Sequence, residues 1–298
     1  MSSQVSQRRD MLATETRKTP AELLIERETL ISIGRVPRGL YDEEVAEGTW
    51  QMRGDQFLLR AQGDHYFHYR SGRGITIERG CGAQLDEEPL WLNGSVFAAI
   101  ASINGLLPIH ASAVAVDGKV FAFTGLSGAG KSTLAAALCS RGMRLFADDT
   151  LLLDLSASDE ITCLPGHKRL KLLPDALPLT GAIPEERVAR AIDKFYSRPL
   201  GGHVQAALPM SELIFIEESA EFRVDPVNGA ERLMQLQDDH YTTRFFTGAR
   251  GYDRAGQFVH LARLAERIRM SRFRRPLDRK RFDECIDFLV RHIRREAP

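Results

Sequence analysis

Apolar positions recur along this chain with two periods, and the alternation between them outlines its elements. From Ala21 to Gly34, AELLIERETLISIG, residues Leu23, Leu24, Leu30 and Ile31 recur at helical spacing, which predicts a short amphipathic helix. Between Gln56 and Glu78 the period drops to two, through FLLRA, HYFHY and ITI, with breaks at Gly63-Asp64 and from Ser71 to Gly74. That pattern predicts a small antiparallel meander. Helical spacing returns from Leu90 to Leu106, where Leu92, Val96, Phe97, Ile100 and Ile103 should pack the meander onto the next unit of the chain. No internal repeat or low-complexity tract interrupts the pattern.

The adjoining stretch joins IHASAVAV to KVFAFT through Asp117-Gly118. Two β-rich runs linked in this way predict a hairpin, with His110 on its first strand, because both central residues of a type I′ turn need positive φ. The second run leads straight into GLSGAGKS. After it TLAAALCSR reads as a helix that Gly142 stops. RLFA predicts a strand, Asp148-Asp149 stand at its end, and TLLLDL is apolar again. KRLKLL, a strand from Leu213 to Glu218, a helix from about Glu231 to Phe246, a helix near Val259 to Glu266 and a strand from Ile268 to Phe273 come next. The last helix starts at Asp278 and lines up Phe282, Cys285, Ile286, Leu289 and Ile293 on one face. The expected class is α/β. Residues 1–20 form a disordered tail, 21–105 a β-rich subdomain, and 106–298 a loop-bearing domain closed by C-terminal helices.

Composition narrows the function. The 298 residues are 43% hydrophobic and 27% charged, a globular balance. Forty basic and forty acidic residues cancel, so no overall field recruits nucleic acid or an anionic membrane. The cancellation is uneven. From Arg244 onward 15 basic residues face 7 acidic ones, a charge of +8, while the preceding part has 25 against 33, or −8. A basic end and an acidic body predict an intramolecular contact, a homo-oligomer contact or a dock for an acidic peptide, with Arg272, Arg274, Arg275, Arg279, Lys280 and Arg281 at its centre. Pro89 to Val116 lacks Asp, Glu, Lys and Arg, yet Asn93, Gly94, Asn104, Gly105, Pro108 and His110 suit a buried helix and strand better than a membrane span. Cys81, Cys139, Cys163 and Cys285 show no metal-ligand or redox spacing, and the first twenty residues lack the apolar core of a secretory signal. The expected setting is a reducing cytoplasm.

Chemistry concentrates in one segment. Gly125-Leu126-Ser127-Gly128-Ala129-Gly130-Lys131-Ser132 satisfies G-x-x-x-x-G-K-[ST], between a predicted strand and a predicted helix. Such glycines let backbone N–H groups turn inward as an anion nest at a helix N-terminus. Gly125, Ser127, Gly128, Ala129, Gly130, Lys131, Ser132 and Thr133 are therefore candidate nucleotide-binding residues, for ATP or GTP, with Lys131 reaching the β and γ phosphates and the Ser132 hydroxyl meeting Mg²⁺. Asp148 and Asp149, seventeen and eighteen residues after Lys131, could divide the binding of metal and the acceptance of a proton, or could simply form a turn. His110, twenty-one residues before Lys131, could meet the phosphates or serve structure alone.

His110, the hairpin, GLSGAGKS and Ala147-Asp148-Asp149, in this order and at these intervals, resemble the catalytic core of bacterial HPr kinase/phosphorylase. The resemblance covers His110 to Leu155. It implies a P-loop, HPr-kinase-like core that transfers phosphate to a hydroxyl of a protein or peptide, with Asp148 as base, Asp149 and Ser132 as Mg²⁺ ligands, His110 as phosphate neighbour and Lys131 on the phosphates. The family's Glu-Ile-Arg-Gly-Leu-Gly type of segment is replaced by the run from Leu164 to Leu172. The succession LPIHASAV, loop, ADD and PGHKRLKLLPDA is more similar to HPr-kinase-related proteins of ribosomal peptide pathways, including kinases that phosphorylate lasso-peptide precursors. Adenylylsulfate kinases and ABC ATPases carry the same octapeptide, but an LSGGQ-like signature is missing. A small-molecule hydroxyl kinase and a nonenzymatic nucleotide switch remain open beside the peptide kinase.

Overall fold

The computed structural model describes residues 18–157, 159–166, 169–190, 192–237, 249 and 254–296. The expected tail falls outside them apart from its last residues. Thr19 opens helix α1 (Pro20–Glu28) with a capping box, its side chain accepting from Glu22 N while the Glu22 carboxylate accepts from Thr19 N. The helix is shorter than its apolar spacing suggests. Ile31 and Ile33 are β-branched, and they form strand β1 (Ile31–Ile33) beside a sheet edge instead. That sheet also contains β2 (Thr49–Arg53), β3 (Gln56–Ala61), β4 (His65–Arg70) and β5 (Gly74–Glu78), in the order β1-β5-β4-β3-β2. Its centre is the expected meander, while β1, parallel to β5, and β2 are additions.

The second helical run is broken into α2 (Glu88–Trp91), a π turn (Leu92–Val96) and α3 (Phe97–Ile103). Strands β6 (Leu107–Ile109), β7 (Ser112–Val116) and β8 (Lys119–Thr124) come next, then α4 (Lys131–Ser140), β9 (Arg144–Ala147), β10 (Leu151–Asp154), β11 (Thr162–Leu164) and β12 (Leu170–Leu172). Asp117 and Gly118 take φ of 49° and 74° in the β7–β8 turn, as the hairpin requires. The run expected to form its first strand is divided, however. Leu107–Ile109 pairs with β10 and only Ser112–Val116 with β8, so His110 occupies the corner between two strands.

Helix α5 (Leu177–Thr180), β13 (Ile183–Ala189), β14 (Ile192–Arg198), β15 (Leu208–Glu218), β16 (Arg223–Pro226), α6 (Ala230–Gln237), α7 (Arg254–Arg267), β17 (Arg269–Arg275) and α8 (Phe282–Glu296) complete the chain. The expected continuation of α6 to Phe246 lies outside the described residues. A nine-stranded sheet runs β6-β10-β11-β15-β8-β7-β9, with β17 parallel to β15 and β16 beside β17. β12, β14 and β13 make a separate three-stranded sheet.

Alternation along the central strands sorts the layers. Val120 and Ala122 of β8, with Leu213 and Phe215 of β15, join a core with Phe57, Phe67 and Ile100. Phe121, Phe123, Ile214 and Ile216 point the other way, toward Leu134 and Leu138 of α4 and Cys285, Ile286, Leu289 and Ile293 of α8. The N-terminal sheet and α3 therefore cover one face and α4 and α8 the other. Among the described residues no helix is long and apolar enough to cross a membrane, and all four cysteines are free.

Candidate active site

β8 ends at Thr124, and the loop from Gly125 to Gly130 carries its chain into α4. Gly130, the residue before the helix, has φ of 85° and packs directly on another side chain. A Cβ there would stand 2.6 Å from the Arg275 Nη2. Glycine meets both demands. Arg275 in turn donates from Nη2 to the Ala129 carbonyl at 2.9 Å. It was expected on a basic surface but is 6% exposed, because Arg275 and Phe273 share the inward face of β17. Burial lowers the basicity of its guanidinium.

Lys131 begins α4, is 7% exposed, and donates from Nζ to the carbonyls of Gly125 at 2.9 Å and Leu126 at 3.1 Å. Burial pulls its ammonium below the ordinary range, against the opposing charges of Asp148 and Asp149.

β9 delivers the two aspartates. In a regular strand adjacent side chains point to opposite faces, but Asp149 has φ of 71° and the Thr150 N–H donates to the Asp148 carbonyl at 2.9 Å. The left-handed residue breaks the alternation, so both carboxylates line one cavity. Asp tolerates this region better than most residues. Asp148 is 1% exposed. Its Oδ1 accepts from the Ser112 hydroxyl at 2.6 Å and its Oδ2 from the Lys171 N–H at 3.0 Å. Burial nevertheless pushes the Asp148 carboxyl upward, with Asp149 adding to that shift and the hydrogen bonds from Ser112 and the Lys171 N–H opposing it.

Asp149 is better exposed to the cavity and differently held. Its Oδ2 accepts from Lys171 Nζ at 2.8 Å, and His110 Nδ1 stands 3.6 Å from Oδ1 while donating to the Asp149 carbonyl at 3.0 Å. Burial pushes this carboxyl up, but the charge and hydrogen bond of Lys171, helped by His110 and Lys194, outweigh it and hold it below the usual range. Two neighbouring carboxylates are thus driven in opposite directions, a common mark of divided roles.

The cavity, about 240 Å³, is lined by His110, Ser127, Gly128, Gly130, Lys131, Ser132, Thr133, Asp148 and Asp149, so most of the expected site residues converge. Gly125 and Ala129 line a neighbouring cavity instead. Four further lining residues were not anticipated, the polar Ser112, Lys171 and Lys194 and the apolar Leu173. Lys171 had a readable signal, a lone charge inside the apolar run Leu170–Leu173. Lys194 and Ser112 had none, because their places depend on how β14 and β7 fold against the loop. With three lysines and a histidine around two carboxylates, the cavity favours a multiply charged anion.

The residues also suit Mg²⁺. Among the described residues no three His, Cys, Asp or Glu side chains stand together as a self-contained metal site. None is required, since Mg²⁺ commonly takes one or two protein oxygens together with substrate phosphates. The Ser132 hydroxyl and the two carboxylates, which line the same cavity, are hard oxygen donors of that kind.

Several arginines of the basic end pair within the chain. Arg272 pairs with Glu217 and Glu231, Arg274 with Glu217 and Asp225, Arg279 with Asp175, and Arg281 with Glu284 while lying 4.4 Å from the Phe222 ring centroid. Of the contacts anticipated for these arginines, the intramolecular one is observed.

No protein-family model and no curated protein matches the chain. Among solved structures, the Hpr(Ser) kinase/phosphatase from Coxiella burnetii is similar at 16% sequence identity and a TM-score of 0.33, over 64% of this chain and 99% of that one.

Proposed function

We propose that this chain is a kinase that transfers the γ-phosphate of Mg-ATP or Mg-GTP to a serine or threonine hydroxyl of a peptide or small protein. The convergence of Lys131 and Ser132 with Asp148 and Asp149 in one cationic cavity carries this reading. Phosphoryl transfer asks little covalent work of an enzyme, so positioning and charge do most of it. Gly128, Gly130 and the first turn of α4 bind the phosphates, and Lys131, Lys171 and Lys194 supply positive charge around them, with His110 beside them. Asp149, kept ionised by Lys171, accepts the acceptor's hydroxyl proton. The freed oxygen bonds to the γ phosphorus as the bond to the bridging oxygen breaks and the nucleoside diphosphate leaves.

Asp148 and Ser132 hold Mg²⁺, which when bound neutralises phosphate charge. This distribution reverses the roles that the resemblance implies for the two aspartates. It follows from the greater exposure of Asp149 and from the Lys171 ion pair that keeps it ionised. The peptide acceptor rests on the resemblance of His110 to Leu155, and a cytoplasmic setting suits four free cysteines.

The nucleotide site is tested by Lys131→Ala. The parent should bind Mg-ATP and the variant should lose most of that binding, read by calorimetry, at an unchanged thermal midpoint. Equal binding by the two proteins would remove the loop from the account.

A further inference from the structure

Arg275 lies under the glycine loop with its charge unbalanced. It closes β17, is buried, and lines neither the aspartate cavity nor the second cavity beside the loop, about 530 Å³. Arg272 and Arg274 on the same strand pair with carboxylates, whereas Arg275 makes no ion pair among the described residues. Its Nε is buried without a hydrogen-bond partner. A cation held in this way costs stability, because burial removes its water and no counter-ion replaces it.

What Arg275 does contact is backbone. Its Nη2 donates to the Ala129 carbonyl at 2.9 Å and packs against Gly130, where a Cβ would meet it at 2.6 Å. The Ala129–Gly130 peptide is planar and trans, so with the carbonyl held by Arg275 the Gly130 N–H points the opposite way, away from the guanidinium. That N–H makes no hydrogen bond among the described residues, and Gly130 lines the cavity of the aspartates. One donor is thus left open on the side where an anion would sit.

We propose that Arg275 is a positioning residue for phosphate, fixing the Ala129–Gly130 peptide so that the Gly130 N–H faces the anion and gaining a counter-charge when phosphate arrives above the loop. The inference rests on the reading of the loop as a phosphate site. Two effects add. A carbonyl engaged by a cation polarises its peptide and strengthens the opposite N–H as a donor, and a buried charge attracts phosphate through a medium of low dielectric. Such a residue favours the bound state over the empty one.

Arg275→Met removes the charge and the donor while keeping an apolar stem, and Arg275→Lys keeps the charge. Calorimetry reads the Mg-ATP affinity of each folded protein, and a thermal midpoint is taken for each without ligand. Arg275→Met should bind Mg-ATP ~tenfold or more weakly, the scale of one hydrogen bond to a charged group, with a ligand-free midpoint at or above the parent's. Arg275→Lys should recover part of the affinity. Parental affinity in Arg275→Met, a loss that Arg275→Lys does not lessen, or a loss accompanied by a lower midpoint would make Arg275 a brace of the fold alone and overturn the proposal, with the loop assignment intact. A parent that binds no Mg-ATP would overturn the loop assignment, and the positioning role with it.

Discussion

Asp149 shows how one backbone angle can make a site. With φ at 71° it turns its carboxylate into the cavity that already holds Asp148, and Lys171 fixes it there at 2.8 Å. Lys171 is 9% exposed and its ammonium is held charged: burial lowers its basicity, but the neighbouring Asp149 outweighs that. The pair carries a signed pH dependence. Because the folded carboxyl of Asp149 lies below its unfolded value, the pairing stabilises the fold above the ordinary carboxylate range, and this is lost as pH falls through the folded value. Lys171→Met removes the strongest lowering influence, so the Asp149 pKa should rise. In a pH profile of kcat/KM the acid limb should then move to higher pH, with the alkaline side unaffected. An acid limb that stays in place would show that Asp149 is not the titrating base.

At the scale of elements, long periodic segments were legible and short ones were not. The meander from Gln56 to Glu78, the loop between β8 and α4, and the apolar face of α8 could all be read directly, since each announces its period over many residues. β1, β11 and β12 have three residues each and exist because a neighbouring strand offers an edge, which no local pattern records. β13 and β14 were missed for a related reason. Their outer positions are exposed and polar, and they carry β-bulges, so the alternation is blurred. α8 provides the quantitative test at this scale. Leu289 is fully buried against the sheet with Ile214, Ile216 and Phe273 in the same cluster. Leu289→Ala should cost about 2–5 kcal/mol in urea unfolding, from lost burial and the cavity left behind. A change below ~0.5 kcal/mol, the range of ordinary surface substitutions, would mean that α8 does not close the sheet.

In the molecule as a whole, the two cores place the candidate site where the central sheet ends. β8, β9 and β15 run between the N-terminal layer and the helical layer, and the segments after them carry the glycine loop, the aspartates and the rim of the second cavity. His110 joins that site from the corner between β6 and β7, a place that depends on β6 pairing with β10 and could not be inferred from the hairpin alone. The basic C-terminal fifth contributes arginines that knit β15, β16 and β17 together and one, Arg275, that braces the loop from beneath. The central claim is that the loop and the aspartates together move phosphate to a hydroxyl. Transfer of labelled γ-phosphate from Mg-ATP to a library of serine- and threonine-containing peptides, by the parent, Asp149→Asn and Asp148→Asn, tests it most directly. The account predicts transfer by the parent and a loss on the order of 10²- to 10⁴-fold for Asp149→Asn with nucleotide affinity kept. Asp148→Asn should instead need more Mg²⁺ and recover part of its rate when Mg²⁺ is in excess. Parent-level transfer by both variants, or a parent that binds Mg-ATP yet labels no peptide, would contradict the account.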